Sequence, residues 1–178
     1  LPIDRLSDVP ALHAWLARET VLRGMFDSVF VVAAADSHVR VGSDAKGVHD
    51  WNVDASDRAY VQRTMRERRP VISQPIVSRI SGEPLLVLTM PVFDRHGELV
   101  AVLGGATRLE ANSLLNDLTR PAVDDHDPVT TIVTDSTGRI VSHPDPAWIM
   151  RDAHSELHFA AVVAHWKEQG LPIEPQGS

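Results

Sequence analysis

The chain of 178 residues has no cysteine, so it has no disulfide framework, no thiolate nucleophile and no cysteine-bound metal. That absence suits an oxidising and a reducing compartment equally. Aromatic residues are scarce, with one tyrosine and four each of tryptophan and phenylalanine. No apolar run approaches the roughly 18 residues that a membrane-spanning helix needs, and the start does not read as a signal peptide. Positive charge is in deficit: 17 Lys and Arg stand against 24 Asp and Glu, a formal charge of −7. This argues against nucleic acid or anionic lipid as a partner for the surface as a whole. Nucleophile elbow, Gly-rich phosphate loop and HExxH are all missing. Ser142, His143 and Asp145 are the residue types of a catalytic triad, but near neighbours on one strand end cannot easily point at one another. The sequence does not read as an enzyme.

What is present is an ordinary globular composition, 43% hydrophobic and 23% charged, enough for one domain or two small ones. The chain is organised around residues 57–110. Asp57 is placed to cap a helix whose one face carries Tyr60, Val61, Thr64 and Met65. Arg58, Arg63, Arg66, Arg68 and Arg69 supply most of the rest, and Pro70 ends it. Strands are expected near 72–78, 85–93 and 99–109, separated by turns at Ser81-Gly82 and at Asp94-Arg95-His96-Gly97. The middle strand is nearly all apolar and reads as covered on both faces. Gly104-Gly105 inside the last one reads as a bulge or a close backbone approach.

Upstream, Ser7-Asp8-Val9-Pro10 is a helix start, and Leu12, Trp15, Leu16, Leu22 and Phe26 recur at helical spacing over about 10–26. Strands follow at 29–35 and 38–42 around Asp36-Ser37, and residues 43–56 read as polar and irregular. The same strand, Asp-Ser, strand pattern returns at Asp135-Ser136, 99 residues on. That distance suits two tandem copies of a module rather than a solenoid, whose period is about 20–50 residues. Between the copies, 112–128 reads as a linker. The second copy is shorter: after its hairpin come Pro144-Asp145-Pro146 and a helical stretch over about 152–169. His154, His158 and His165 fall along that stretch, but no third ligand completes a metal site at matching spacing. No metal or other cofactor is expected.

The run from Asp57-Arg58-Ala59-Tyr60 through Pro91-Val92-Phe93-Asp94 and Gly97 to Gly104-Gly105 resembles the extracytoplasmic double-Cache sensor domains, PAS-like modules of bacterial chemoreceptors, sensor histidine kinases and diguanylate cyclases. The resemblance implies an α+β fold: a long N-terminal helix (1–27), a membrane-distal PAS-like module (28–111), and a linker with a partial membrane-proximal module (112–178). It also implies a periplasmic ectodomain whose membrane helices lie outside this chain, a small-molecule ligand in the distal module, and a homodimer paired through the N-terminal helix. Amino-acid-sensing members carry an arginine, an aromatic two residues on with a tyrosine beside it, and an aspartate on the following strand for the amine. Here Arg58 and Tyr60 match, whereas Val61 and Ser78 stand at the other two places. The expected site is therefore Arg58, Tyr60, Trp51, Ser78, Asp94, Gly104 and Gly105, holding an organic acid or another small anion. The rival expectation is a ligand-free dimerisation module.

Overall fold

The computed structural model describes residues 6–109 and 132–155. The helix start at Asp8 forms as its composition requires: the Asp8 carboxylate accepts from the Ala11 amide at 3.0 Å, and Pro10 lies in the first turn. The single helix expected over about 10–26 is two, α1 (Val9–Arg18) and α2 (Thr20–Met25). Between them Glu19 leaves the helical region at ψ 72°, its amide turning back to the Leu16 carbonyl at 3.2 Å. Leu22 and Phe26 nevertheless pack on the core that Leu12 and Leu16 enter, so the periodicity survives the break and hides it in the sequence.

Strands β1 (Ser28–Ala33), β2 (His38–Asp44), β3 (Gly47–His49) and β4 (Val53–Asp54) precede α3 (Ala59–Glu67). After it come β5 (Val71–Ile72), β6 (Ile76–Val77), β7 (Pro84–Phe93) and β8 (Leu99–Arg108). Among the described residues these eight strands form one sheet in the order β3-β2-β1-β8-β7-β5, with β4 also on β2 and β6 also on β7. Three details differ from expectation. Residues 43–56 are not irregular throughout, since β3 and β4 both return to β2. The strand expected over 72–78 is two short pieces interrupted around Pro75, which has no N–H to give to a ladder. And the two faces of β7 are covered unequally: Leu85, Val87 and Thr89 are buried, Leu86 and Leu88 half-buried, and Met90 is 50% exposed.

Alternation sorts the sheet's two faces. Val29 and Val31 on β1, Val41 on β2 and Ala101 on β8 form a buried cluster with Leu12 and Leu16 of α1. Phe30 points the other way. His13 of α1 also reaches the sheet, its Nε2 lying 3.0 Å from the Val48 carbonyl.

The second Asp-Ser turn joins β9 (Val133–Thr134) to β10 (Ile140–Ser142), which make a sheet of their own. Asp135 braces this turn, its carboxylate accepting from the Thr137 amide at 2.8 Å and the Arg139 amide at 3.0 Å. The expected helix does not begin at 152: Asp152 bridges to Arg139, and 153–155 are a turn. The rest of that stretch, His158, His165 and the 112–128 linker lie outside the described residues. The chain divides into two compact units, one of residues 1–74 and 86–107, the other of 75–85 and 108–178.

Candidate ligand-binding site

Arg58 occupies the position immediately before α3, with extended backbone (φ −78°, ψ 114°) and no side-chain cap. Asp57, expected to cap the helix, stands one residue too early, because the Arg58 carbonyl is the one accepting the first helical amides, Val61 and Gln62, each at 3.0 Å. The Arg58 amide bonds the Ala55 carbonyl at 3.0 Å, and the Ala55 amide bonds Ser37 at 3.0 Å, tying the helix start to the β1–β2 turn. The Arg58 side chain is half-buried. Among the described residues its guanidinium makes no hydrogen bond or ion pair.

The other arginines of the cluster are committed. Glu67 gathers Arg63 at 2.9 Å, Arg66 at 3.8 Å and Arg69 at 2.6 Å. The Arg63 hydrogen bond, helped by all three charges, holds the Glu67 carboxyl below its usual range. Arg68 ends the helix in the left-handed region (φ 53°); its guanidinium lies 5.0 Å over the Phe93 ring and donates to the Gly97 carbonyl.

Tyr60 sits in the first turn of α3 and is half-buried. Trp51 lies between β3 and β4, and its indole covers Gly42 of β2 so closely that a Cβ there would overlap the ring. Phe30 does the same to Gly104. Since Phe30 pairs with Gly42 on one side and Gly104 on the other, both rings lie on the sheet face turned away from α1. Gly105, on the opposite face, is covered by Phe26. The space over both glycines, expected to admit a ligand, is thus filled by the chain's own rings. The signal missed in the sequence was that each glycine has an aromatic partner to receive.

Ser78 and Asp94 serve turns. Ser78 Oγ accepts from the Ile80 and Ser81 amides, each at 3.1 Å, within the turn that joins β6 to β7. Asp94 Oδ1 accepts from the Glu98 amide at 2.9 Å and the His96 amide at 2.8 Å, closing the β7–β8 hairpin. Those two amides, Glu98's foremost, hold the Asp94 carboxyl below its usual 3.8.

Among the described residues no three His, Cys, Asp or Glu side chains stand close enough to hold a metal ion. Of the triad-like residues, Ser142 is buried in β10, and His143 Nδ1 faces the main chain of Asp145, 2.9 Å from its amide nitrogen.

No family model matches the chain. Solved structures do. The ligand-binding domain of the Pseudomonas aeruginosa PAO1 amino acid chemoreceptor PctC, in complex with GABA, is similar over 79% of this chain at 24% identity (TM-score 0.59). The ligand-binding domain of Mlp24 with asparagine matches over 87% at 16% identity (TM-score 0.65). The chain spans 60% and 62% of the length of those two. The extracellular domain of mmHK1S-Z2, described as a candidate histidine kinase, matches over 90% of this chain and 68% of its own, at 13% identity and a TM-score of 0.67. The chain has the double-Cache, PAS-like fold that these sensor domains share.

Proposed function

We propose that this chain is the small-molecule-binding, extracytoplasmic sensor domain of a bacterial transmembrane signalling protein, lying in the periplasm. Residues 28–111 form its membrane-distal, ligand-binding module, and 112–178 its linker and a partial membrane-proximal module. One observation carries the reading: on a fold shared with chemoreceptor ligand-binding domains, Arg58 opens α3 half-buried, its guanidinium uncommitted among the described residues. The other four arginines of the cluster have work elsewhere. A planar guanidinium beside the first amides of a helix suits a carboxylate, which it grips through two parallel N–H bonds.

The ligand is a small organic anion, flanked by Tyr60 and Trp51. PctC and Mlp24 hold GABA and asparagine, which carry an ammonium as well as a carboxylate. Here Ser78 stands at the place of the amine-holding aspartate, its Oγ accepting two turn amides, so that place offers an ammonium no carboxylate. Phe30 over Gly104 and Trp51 over Gly42 narrow the space on that face, which favours a compact ligand. The domain binds rather than catalyses. Signalling requires that the ligand prefer one arrangement of the module over another, since only differential affinity shifts an equilibrium.

A thermal-shift screen of organic acids followed by calorimetric titration tests the reading. Arg58→Ala weakens binding at least about 10-fold, the loss of a hydrogen bond to a charged group. Arg58→Lys recovers only part, because an ammonium lacks the parallel pair of donors. Arg66→Ala keeps parental affinity, its charge being turned to Glu67. Equal affinity for Arg58→Ala and the parent would reduce Arg58 to a bystander. A screen in which no acid raises the melting temperature favours the ligand-free dimerisation module.

A further inference from the structure

We propose that the Thr64–Thr89 hydroxyl pair is the positioning contact that fixes α3, and with it Arg58, on the sheet. Thr64 lies within α3 and Thr89 within β7, and both are 0% exposed. Three short contacts run through their oxygens. Thr64 Oγ1 is 2.8 Å from the Tyr60 carbonyl and 2.6 Å from Thr89 Oγ1, and Thr89 Oγ1 is 3.1 Å from the Val71 carbonyl.

Two hydroxyls carry two protons, so only two of the three contacts are hydrogen bonds at any moment. If both protons pointed at carbonyls, two oxygens would face each other at 2.6 Å with no proton between them. Two orders remain. In one, Thr64 donates to Tyr60 and Thr89 donates to Thr64. In the other, Thr64 donates to Thr89 and Thr89 donates to Val71. The helix-to-sheet bond is present in both, and the two carbonyls take turns. Buried from water, that bond is worth more than an exposed one.

The placement of the pair gives it its role. The far end of α3 is held by Arg68 on Phe93 and Gly97, and Met65 accepts from the Ser37 hydroxyl at 3.9 Å. The near end has no side-chain cap. That end is tied through its backbone, Arg58 to Ala55 and Ala55 to Ser37, and Thr64, one turn beyond Tyr60, adds a fully buried side-chain tie from α3 to β7. The part given to Arg58 rests on the proposed ligand role, whereas the hold on α3 does not.

Native-state amide exchange reads that hold without any ligand. Thr64→Val removes the hydroxyl at nearly constant volume and leaves Thr89 free to donate to Val71, so no buried donor is stranded. The expected result is a roughly tenfold loss of protection at the α3 amides, the worth of one hydrogen bond, while Val31 and Val102 keep theirs. Thr64→Ser restores it. Unchanged α3 protection in Thr64→Val overturns the proposal, as does an equal loss across β1 and β8. Titration with succinate separates the two readings: both hold if Thr64→Val and Arg58→Ala each weaken its binding. If α3 loosens in Thr64→Val yet Arg58→Ala binds succinate as the parent does, the ligand role falls and the positioning contact stands.

Discussion

At the scale of single residues, much of what the sequence offers as chemistry is architecture. Gly104 is a case. Its Cα lies under the Phe30 ring, so Gly104→Ala forces the ring or the strand to move, at about 1–3 kcal/mol of overpacking. Urea unfolding measures the cost, and in a Phe30→Leu background it shrinks, because the two changes share one space. Asp94 is another. Its folded pKa lies below the usual 3.8 because two turn amides point at it. The stabilisation is therefore complete above that unfolded value and is lost as the pH falls through the lower folded one. Stability of the parent drops on acidification below about pH 4 with a steeper slope than that of Asp94→Asn, measured by chemical denaturation at stepped pH. Legibility at this scale was uneven. The Asp8 cap and the two Asp-Ser turns could be read directly, since their hydrogen bonds are local. The rings over Gly42, Gly104 and Gly105 could not, since each comes from a different segment.

At the scale of elements, local patterns place β1, β2, β7 and β8 within a residue or two, because alternating apolar runs and turn residues are written in consecutive positions. Breaks were less legible: nothing in the residue type of Glu19 announces the interruption between α1 and α2. The end of α3 shows how an element is closed against its own preference. Arg68 takes the left-handed conformation usual for glycine, at a cost of roughly 1–2 kcal/mol for an L-residue. Its stacking over Phe93 and its bond to Gly97 offset that cost. Arg68→Ala keeps the strain and loses both contacts, whereas Arg68→Gly loses the contacts and the strain together. Arg68→Gly is thus the more stable of the two by about 1 kcal/mol, an order that thermal unfolding of the pair checks. If Ala proves the more stable, the helix end relaxes out of the left-handed region.

At the scale of the molecule, the repeat of strand, Asp-Ser, strand was legible as two separate sheets, and the structure has them. The strand order was not, since pairing β1 with both β2 and β8 joins segments about 70 residues apart. That pairing creates the surface on which α1 rests. Two kinds of contact hold it there. Leu12 and Leu16 are fully buried against Val29, Val31, Val41 and Ala101, while His13 makes one partly buried bond to the Val48 carbonyl. Burial outweighs the bond: Leu16→Ala removes apolar contact and leaves a cavity, about 2–5 kcal/mol, whereas His13→Ala forfeits a single hydrogen bond, about 1 kcal/mol. With total stabilities commonly about 5–15 kcal/mol, the first change takes a large share and the second does not. Urea unfolding of the two variants followed by tryptophan fluorescence, to which Trp15 beside Leu16 contributes, measures both costs. If His13→Ala costs as much as Leu16→Ala, the helix is held chiefly by its polar tie to the β2–β3 hairpin.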